Sequence, residues 1–141
     1  MSKLSEKSLK ILEYYTILDQ LAEKCVSRKA KQAAKNLRPL HDIEDVQELL
    51  TQTDDAKRLL TTGGTPAFGG IREVSAALSR SKMGGILSTR ELLDIASLLH
   101  AANQVRKYGN EQQDNGVHTS LDTMFARINS NRYLEEKINR A

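Results

Sequence analysis

Two glycine pairs punctuate an otherwise helical pattern: Phe68-Gly69-Gly70-Ile71-Arg72-Glu73 and Gly84-Gly85-Ile86-Leu87-Ser88. Each is followed by an isoleucine and then by the start of a helical period, so these corners decide how the helices turn onto one another. Proline is confined to Pro39 and Pro66. Inside a helix it costs about 3 kcal/mol, so both mark loops and leave long stretches unbroken. There is no alternating Val/Ile/Thr run and no Asn-Gly hairpin between such runs. The pattern predicts an all-α fold: a multi-helix bundle of antiparallel helices forming a single helical domain over residues 1–141.

The helical periods can be followed along the chain. Leu4, Leu9 and Leu12 suggest a short first helix with Ser5 near its start. Tyr15 or Thr16 opens a second, carrying Ile17, Leu18, Leu21, Ala22 and Val26. Ser27 suits the N-cap of a third, which runs to about Leu37. Asp42 caps a fourth, whose apolar positions from Ile43 to Leu60 recur every three or four residues, and Gly63-Gly64 closes it. Val74, Ala77 and Leu78 begin a fifth, shorter helix. Ser88 and Glu91 then form a capping box before a long apolar-rich helix, expected to pack on several sides and to end near Tyr108. The polar stretch 109–118, with two glycines, is expected to be a mobile loop. Thr119 or Ser120 caps a further stretch containing Leu121, Met124, Phe125 and Ile128. After Asn129-Ser130-Asn131 the period resumes with Tyr133, Leu134 and Ile138. It is still running at Ala141, which reads as a truncation.

Aromatic rings are scarce (Tyr14, Tyr15, Phe68, Tyr108, Phe125, Tyr133, no Trp), so the core must come from Leu, Ile, Val and Ala. Cys25 stands alone, which excludes an intrachain disulfide and fits a reducing compartment. No apolar run has signal-peptide or membrane-helix length. A soluble cytoplasmic protein is expected. The net charge of +3 is too small to specify a nucleic-acid partner by itself.

The candidate chemistry is thin. Gly64 and Gly69 have the spacing of a phosphate loop, but Gly70-Ile71 stands where Lys and Ser or Thr would reach phosphate and magnesium. His41, His100, His118 and Cys25 include no pair with zinc-ligand spacing. His100 falls within the apolar period and reads as a packed, hydrogen-bonded histidine, and Cys25 as a small core residue. The strongest pattern is cationic. Lys24, Arg28, Lys31, Lys35 and Arg38 recur at intervals of three and four with no acidic residue between Lys24 and Arg38. Such a stripe can track phosphates. It can equally be a solvated face, or one paired with the acidic fourth helix (Asp42, Glu44, Asp45, Glu48, Asp54, Asp55). No aromatic residue interleaves with it, so base stacking there is not supported.

Several stretches together resemble the N-terminal region of the bacterial type-2 MutS family, MutS paralogues with a C-terminal Smr nuclease domain. They are Leu9-Lys10-Ile11-Leu12-Glu13-Tyr14, Ile17-Leu18-Asp19-Gln20-Leu21-Ala22, Leu37-Arg38-Pro39, Ala56-Lys57-Arg58-Leu59-Leu60, Phe68-Gly69-Gly70-Ile71-Arg72, and Gly84-Gly85-Ile86-Leu87-Ser88 with Glu91-Leu92-Leu93-Asp94-Ile95. The doubled Gly-Gly-Ile arrangement is the specific part. The resemblance implies the beginning of a core or lever region, with the rest of the parent chain as its partner. It places ATP and Mg in an ATPase domain of the parent protein and the endonuclease further on, with no cofactor, metal or catalytic residue in this segment. It also implies association with branched DNA, suppression of homologous recombination, rescue of collided ribosomes and rRNA contact. The Phe-x-Glu motif of mismatch readers is absent. The alternative is a freestanding helical interaction module, such as a dimerisation or adaptor domain. A cut through the helical period predicts self-association, or an apolar patch of Leu121, Phe125, Tyr133, Leu134 and Ile138.

Overall fold

A computed structural model describes residues 5–141, and Leu4 lies outside them. Among the described residues there are eight helices and no strand: α1 (Glu6–Ile11), α2 (Tyr14–Lys24), α3 (Arg28–Lys35), α4 (Ile43–Gly63), α5 (Ser75–Lys82), α6 (Thr89–Asp114), α7 (Asp122–Ala126) and α8 (Arg132–Arg140). The fold is therefore all-α, as the periodicity predicts. Where the sequence suggests one helical domain, the chain groups into two compact units. One ends at Thr51 and the other runs Gln52–Ala141, so α4 contributes to both.

The starts of the helices are set by local chemistry. Ser5 Oγ accepts from Ser8 N at 3.1 Å, Ser27 Oγ from Ala30 N at 3.1 Å, and Asp42 Oδ1 from Glu44 N at 2.9 Å. Each satisfies a first-turn N–H that the helix itself leaves unpaired. The Ser88–Glu91 capping box is complete, with Glu91 Oε2 accepting from Ser88 N at 2.9 Å. α2 begins one residue before the earlier of its two expected openings, because Glu13 turns the chain in the left-handed region at φ 53°.

The ends depend on glycine in two places. At Gly84 (φ 80°) the Gly84 and Gly85 N–H groups donate back to the Ser81 and Arg80 carbonyls at 2.9 and 3.0 Å. At Gly116 (φ 78°) the N–H groups of Gly116 and Val117 do the same to Gln113 and Gln112 at 2.8 and 2.9 Å. Both are the paired closure that a left-handed residue permits.

In the first unit α1 packs on α2 and α2 on α3, around the buried Leu9, Leu18, Ala22 and Ala34. In the second unit α6 packs against α7 and α8. It buries Ile95, Ala96, Ala101, Val105, Gly109 and Gln112, more than one face, as expected of a central helix.

The stretch 109–118, expected as a mobile loop, is helix as far as Asp114. Gly109 does not end α6. It admits the Phe125 ring, since a Cβ at Gly109 would lie 2.4 Å from the ring's Cγ. One turn on, Gln112 is buried where a Cβ at Gly63 would meet its amide at 2.5 Å. These notches seat α6 against Phe125 and against the end of α4.

Candidate functional site

The five cations of the predicted stripe do not share one helix. Arg28, Lys31 and Lys35 lie on α3, three and four residues apart and all exposed. Lys24 ends α2, and Ser27 starts a new helix after an extended Cys25, so the helical phase is not carried across. Arg38 lies beyond the C-cap Asn36, in the position before Pro39 that disfavours helix.

The five also differ in their partners. Lys35 Nζ meets Asp19 Oδ1 at 2.8 Å. That hydrogen bond first, and the Asp19 charge second, hold its pKa above the usual lysine value. Arg38 stands over the Tyr15 ring, 6.0 Å from its centroid, and donates to Leu37 O at 3.1 Å. The Tyr15 hydroxyl donates to Glu6 Oε2 at 2.6 Å, which raises its pKa. Lys24, Arg28 and Lys31 make no ion pair among the described residues. The acid seen to meet the stripe among the described residues is Asp19 of α2. Among the described residues, Arg28 and Lys31 are thus exposed, unpaired cations on α3 that can attract anions without enclosing them.

A second polar cluster lies between α6 and α8. His100 Nδ1 is 2.8 Å from Glu135 Oε1, Asn103 Nδ2 donates to Glu135 Oε2 at 3.5 Å, and Gln104 Nε2 is 3.3 Å from His100 Nε2. The Glu135 carboxylate is only 14% exposed. A cleft of about 390 Å³ beside it is lined by His100, Asn103, Gln104, Lys107, Arg132, Glu135 and Glu136. The imidazole, read from sequence as packed, is exposed on this cleft and hydrogen-bonded there. The signal that misleads is the apolar period of α6, which covers so much of the helix that His100 reads as part of it.

The remaining candidates occupy ordinary positions. The Gly64–Gly70 stretch is loop, and the next helix begins only at Ser75, so no helix N-terminus follows the second glycine. His41 is exposed. His118 lies 3.5 Å from Asp122, and its carbonyl accepts from Arg58 at 2.8 Å. Cys25 is half-buried, its thiol donating to Leu21 O at 3.5 Å. Among the described residues no three His, Cys, Asp or Glu side chains come together as a metal site, and no helix is long and apolar enough to cross a membrane. Of the apolar patch expected near the C-terminus, Tyr133 and Leu134 are exposed, whereas Leu121, Phe125 and Ile138 are half-buried.

Over 134 residues, 94% of its length, the chain is 37% identical to the Endonuclease MutS2 of Bacillus mycoides (strain KBAB4). Over the same length it is 35% identical to that of Bacillus cereus (strain Q1) and 34% to that of Bacillus thuringiensis (strain Al Hakam). The chain spans only 17% of the length of each of these relatives. No family model matches it.

Proposed function

Because the chain belongs to the type-2 MutS family, we propose that it is a non-catalytic helical core or lever segment from the N-terminal region of a larger DNA-binding ATPase and endonuclease. The observation that carries this reading is the coverage: 94% of an all-helical chain aligns with 17% of each relative. ATP and Mg then belong to another domain of the parent protein, as does the nuclease. The segment's part is mechanical, since stiff helices pass a nucleotide-driven movement on to whatever grips nucleic acid. The parent's work is suppression of homologous recombination and rescue of collided ribosomes in the cytoplasm. The exposed α3 cations, Arg28 and Lys31 foremost with Lys24, Lys35 and Arg38 beside them, form a peripheral phosphate contact on branched DNA or rRNA.

Binding of the chain to branched DNA and to ribosomes across a salt series tests this, beside a variant carrying Arg28→Glu, Lys31→Glu and Lys35→Glu. The expected result is salt-sensitive binding by the native chain that the variant loses. Equal binding by both would remove α3 from the reading. Binding by neither would leave the segment as scaffold alone.

One observation favours a second reading, a helical interaction or dimerisation module. The first unit exposes Ile11, Leu12, Ile17, Val26 and Ile43, each more than half accessible. A protein surface covers such side chains well, whether it comes from the rest of the parent chain or from a second copy. Concentration-dependent dimerisation in sedimentation, abolished by Ile17→Glu, would favour the second copy.

A further inference from the structure

The face of α8 away from the core adds to cations at helical spacing, which α3 also carries, an exposed aromatic ring, which α3 lacks. Tyr133 is 75% exposed. Lys137, one turn on, holds its ammonium 5.8 Å from the ring centroid, and Arg140 follows after a further three residues. Tyr133, Glu136, Lys137 and Arg140 line one shallow cleft, which borders the α6–α8 cleft at Glu136. On that side Lys107 and Arg132 face the solvent. Arg132 makes no ion pair among the described residues, and Lys107 has only Glu111 at 3.4 Å. Besides Glu111, two acids lie in this field. Glu135 is turned inward onto His100 and Asn103, and Glu136 meets Arg140 at 3.7 Å. Of the four cations, Lys107 and Arg140 therefore each have an acid beside them, Glu111 and Glu136, while among the described residues Arg132 and Lys137 have none.

We propose that this surface binds single-stranded nucleic acid, with Tyr133 as the stacking platform for one base and Arg132, Lys137 and Lys107 as contacts to the flanking phosphates. An exposed ring face accepts any unpaired base, and neighbouring cations hold the backbone in register with it. A duplex buries its base faces and offers no such partner. From Tyr133 to Arg140 the face extends about 10 Å, room for a short run of strand. Glu136 opposes the ligand, so its removal strengthens binding. The site shares no residue with the α3 face, so the two readings fail independently.

The test is anisotropy of labelled oligo(dT), oligo(U) and a duplex of equal length, titrated with the native chain and four variants over a salt series. Tyr133→Ala should weaken both single strands about tenfold, in line with the effect of losing one stacked base. Lys137→Gln should lower the salt slope by about 0.7, one phosphate contact on a single strand. Glu136→Gln should tighten binding, and the α3 charge-reversed variant should still bind. Tyr133 is exposed, so an unchanged melting curve is expected of its variant. The two single-strand arms tell DNA from RNA as the preferred source. The inference is overturned if Tyr133→Ala binds like the native chain, if the duplex binds as tightly as the single strands, or if only the α3 variant loses binding.

Discussion

The two units are held together in different ways. In the second, side chains reach far along the sequence to backbone atoms. The Tyr108 hydroxyl lies 3.0 Å from both the Leu59 and Gly64 carbonyls at the end of α4, and burial raises its pKa. Asp55 accepts from Ser120 N and Oγ at 2.7 and 2.8 Å, the backbone bond being the main reason its pKa is depressed. Arg106 donates to Ile128 O at 3.1 Å. Among the described residues of the first unit, the caps at Ser5, Ser27 and Asp42 are local, Tyr15 reaches Glu6 nine residues away, the buried set is Leu9, Leu18, Ala22 and Ala34, and the Lys35–Asp19 pair is exposed on both sides. One unit is tied by bonds that are long in sequence, while the other relies more on local ones; both expose apolar side chains. The difference suits a segment whose second unit is the more rigidly fixed of the two.

The sharpest way to break the comparison is at Leu59, which is buried in the second unit and whose own carbonyl takes the Tyr108 hydroxyl. Leu59→Ala should cost about 2–5 kcal/mol, the range for a buried leucine that leaves a cavity. A loss under about 1 kcal/mol by chemical denaturation would mean that the second unit is no better locked than the first. Gly109→Val comes next. The new side chain must share space with the Phe125 ring, and overpacking of this kind costs about 1–3 kcal/mol. If the variant keeps full stability, the α6–α7 notch is slack.

Gly109 also shows where sequence reading reaches its limit. The caps at Ser5, Ser27, Asp42 and Ser88 were readable because donor and acceptor lie two or three residues apart. Whether a glycine ends a helix or admits a ring depends on a residue far away, and nothing near Gly109 in the chain announces Phe125. The same distance hid the Tyr108, Asp55 and Glu135 bonds. The cationic spacing was legible as a pattern, yet its division between α2, α3 and the loop turned on the break at Cys25 to Ser27. By contrast, Tyr133, Lys137 and Arg140 lie at readable helical spacing. The apolar period through Leu134 and Ile138 masks them, because it assigns Tyr133 to an apolar patch.

A smaller effect tests the corner between α5 and α6. Glu91 is held at a pKa of about 2, below the ordinary 4.5, by the Ser88 N–H first, then by the Arg80 guanidinium and the Ser88 hydroxyl. The folded pKa is depressed, so the stabilisation is fully present above about pH 4.5 and fades as pH falls toward 2. The melting-temperature gap between the native chain and Glu91→Gln should therefore be constant near neutrality and close across that window. A gap that persists unchanged at pH 2.5 would mean that the ionised carboxylate contributes nothing at this corner.

The smallest effects belong to the first unit and set its scale. Ser27→Ala removes the α3 cap and should cost about 1 kcal/mol. Asp19→Asn should cost less than that, even though the Lys35–Asp19 contact is as short, at 2.8 Å, as the bonds inside the second unit. Both side chains are about 60% exposed, so water and salt screen the pair, and holding two flexible chains together opposes what attraction remains. The expected result is a melting temperature indistinguishable from the native chain in moderate salt, while affinity for polyanions rises slightly because Lys35 is released from Asp19. If Asp19→Asn instead lowered stability as much as Ser27→Ala, the pair would be a structural tie. Lys35 would then leave the set of cations available to phosphate, and Arg28 and Lys31 would be the only free cations of the predicted stripe on α3.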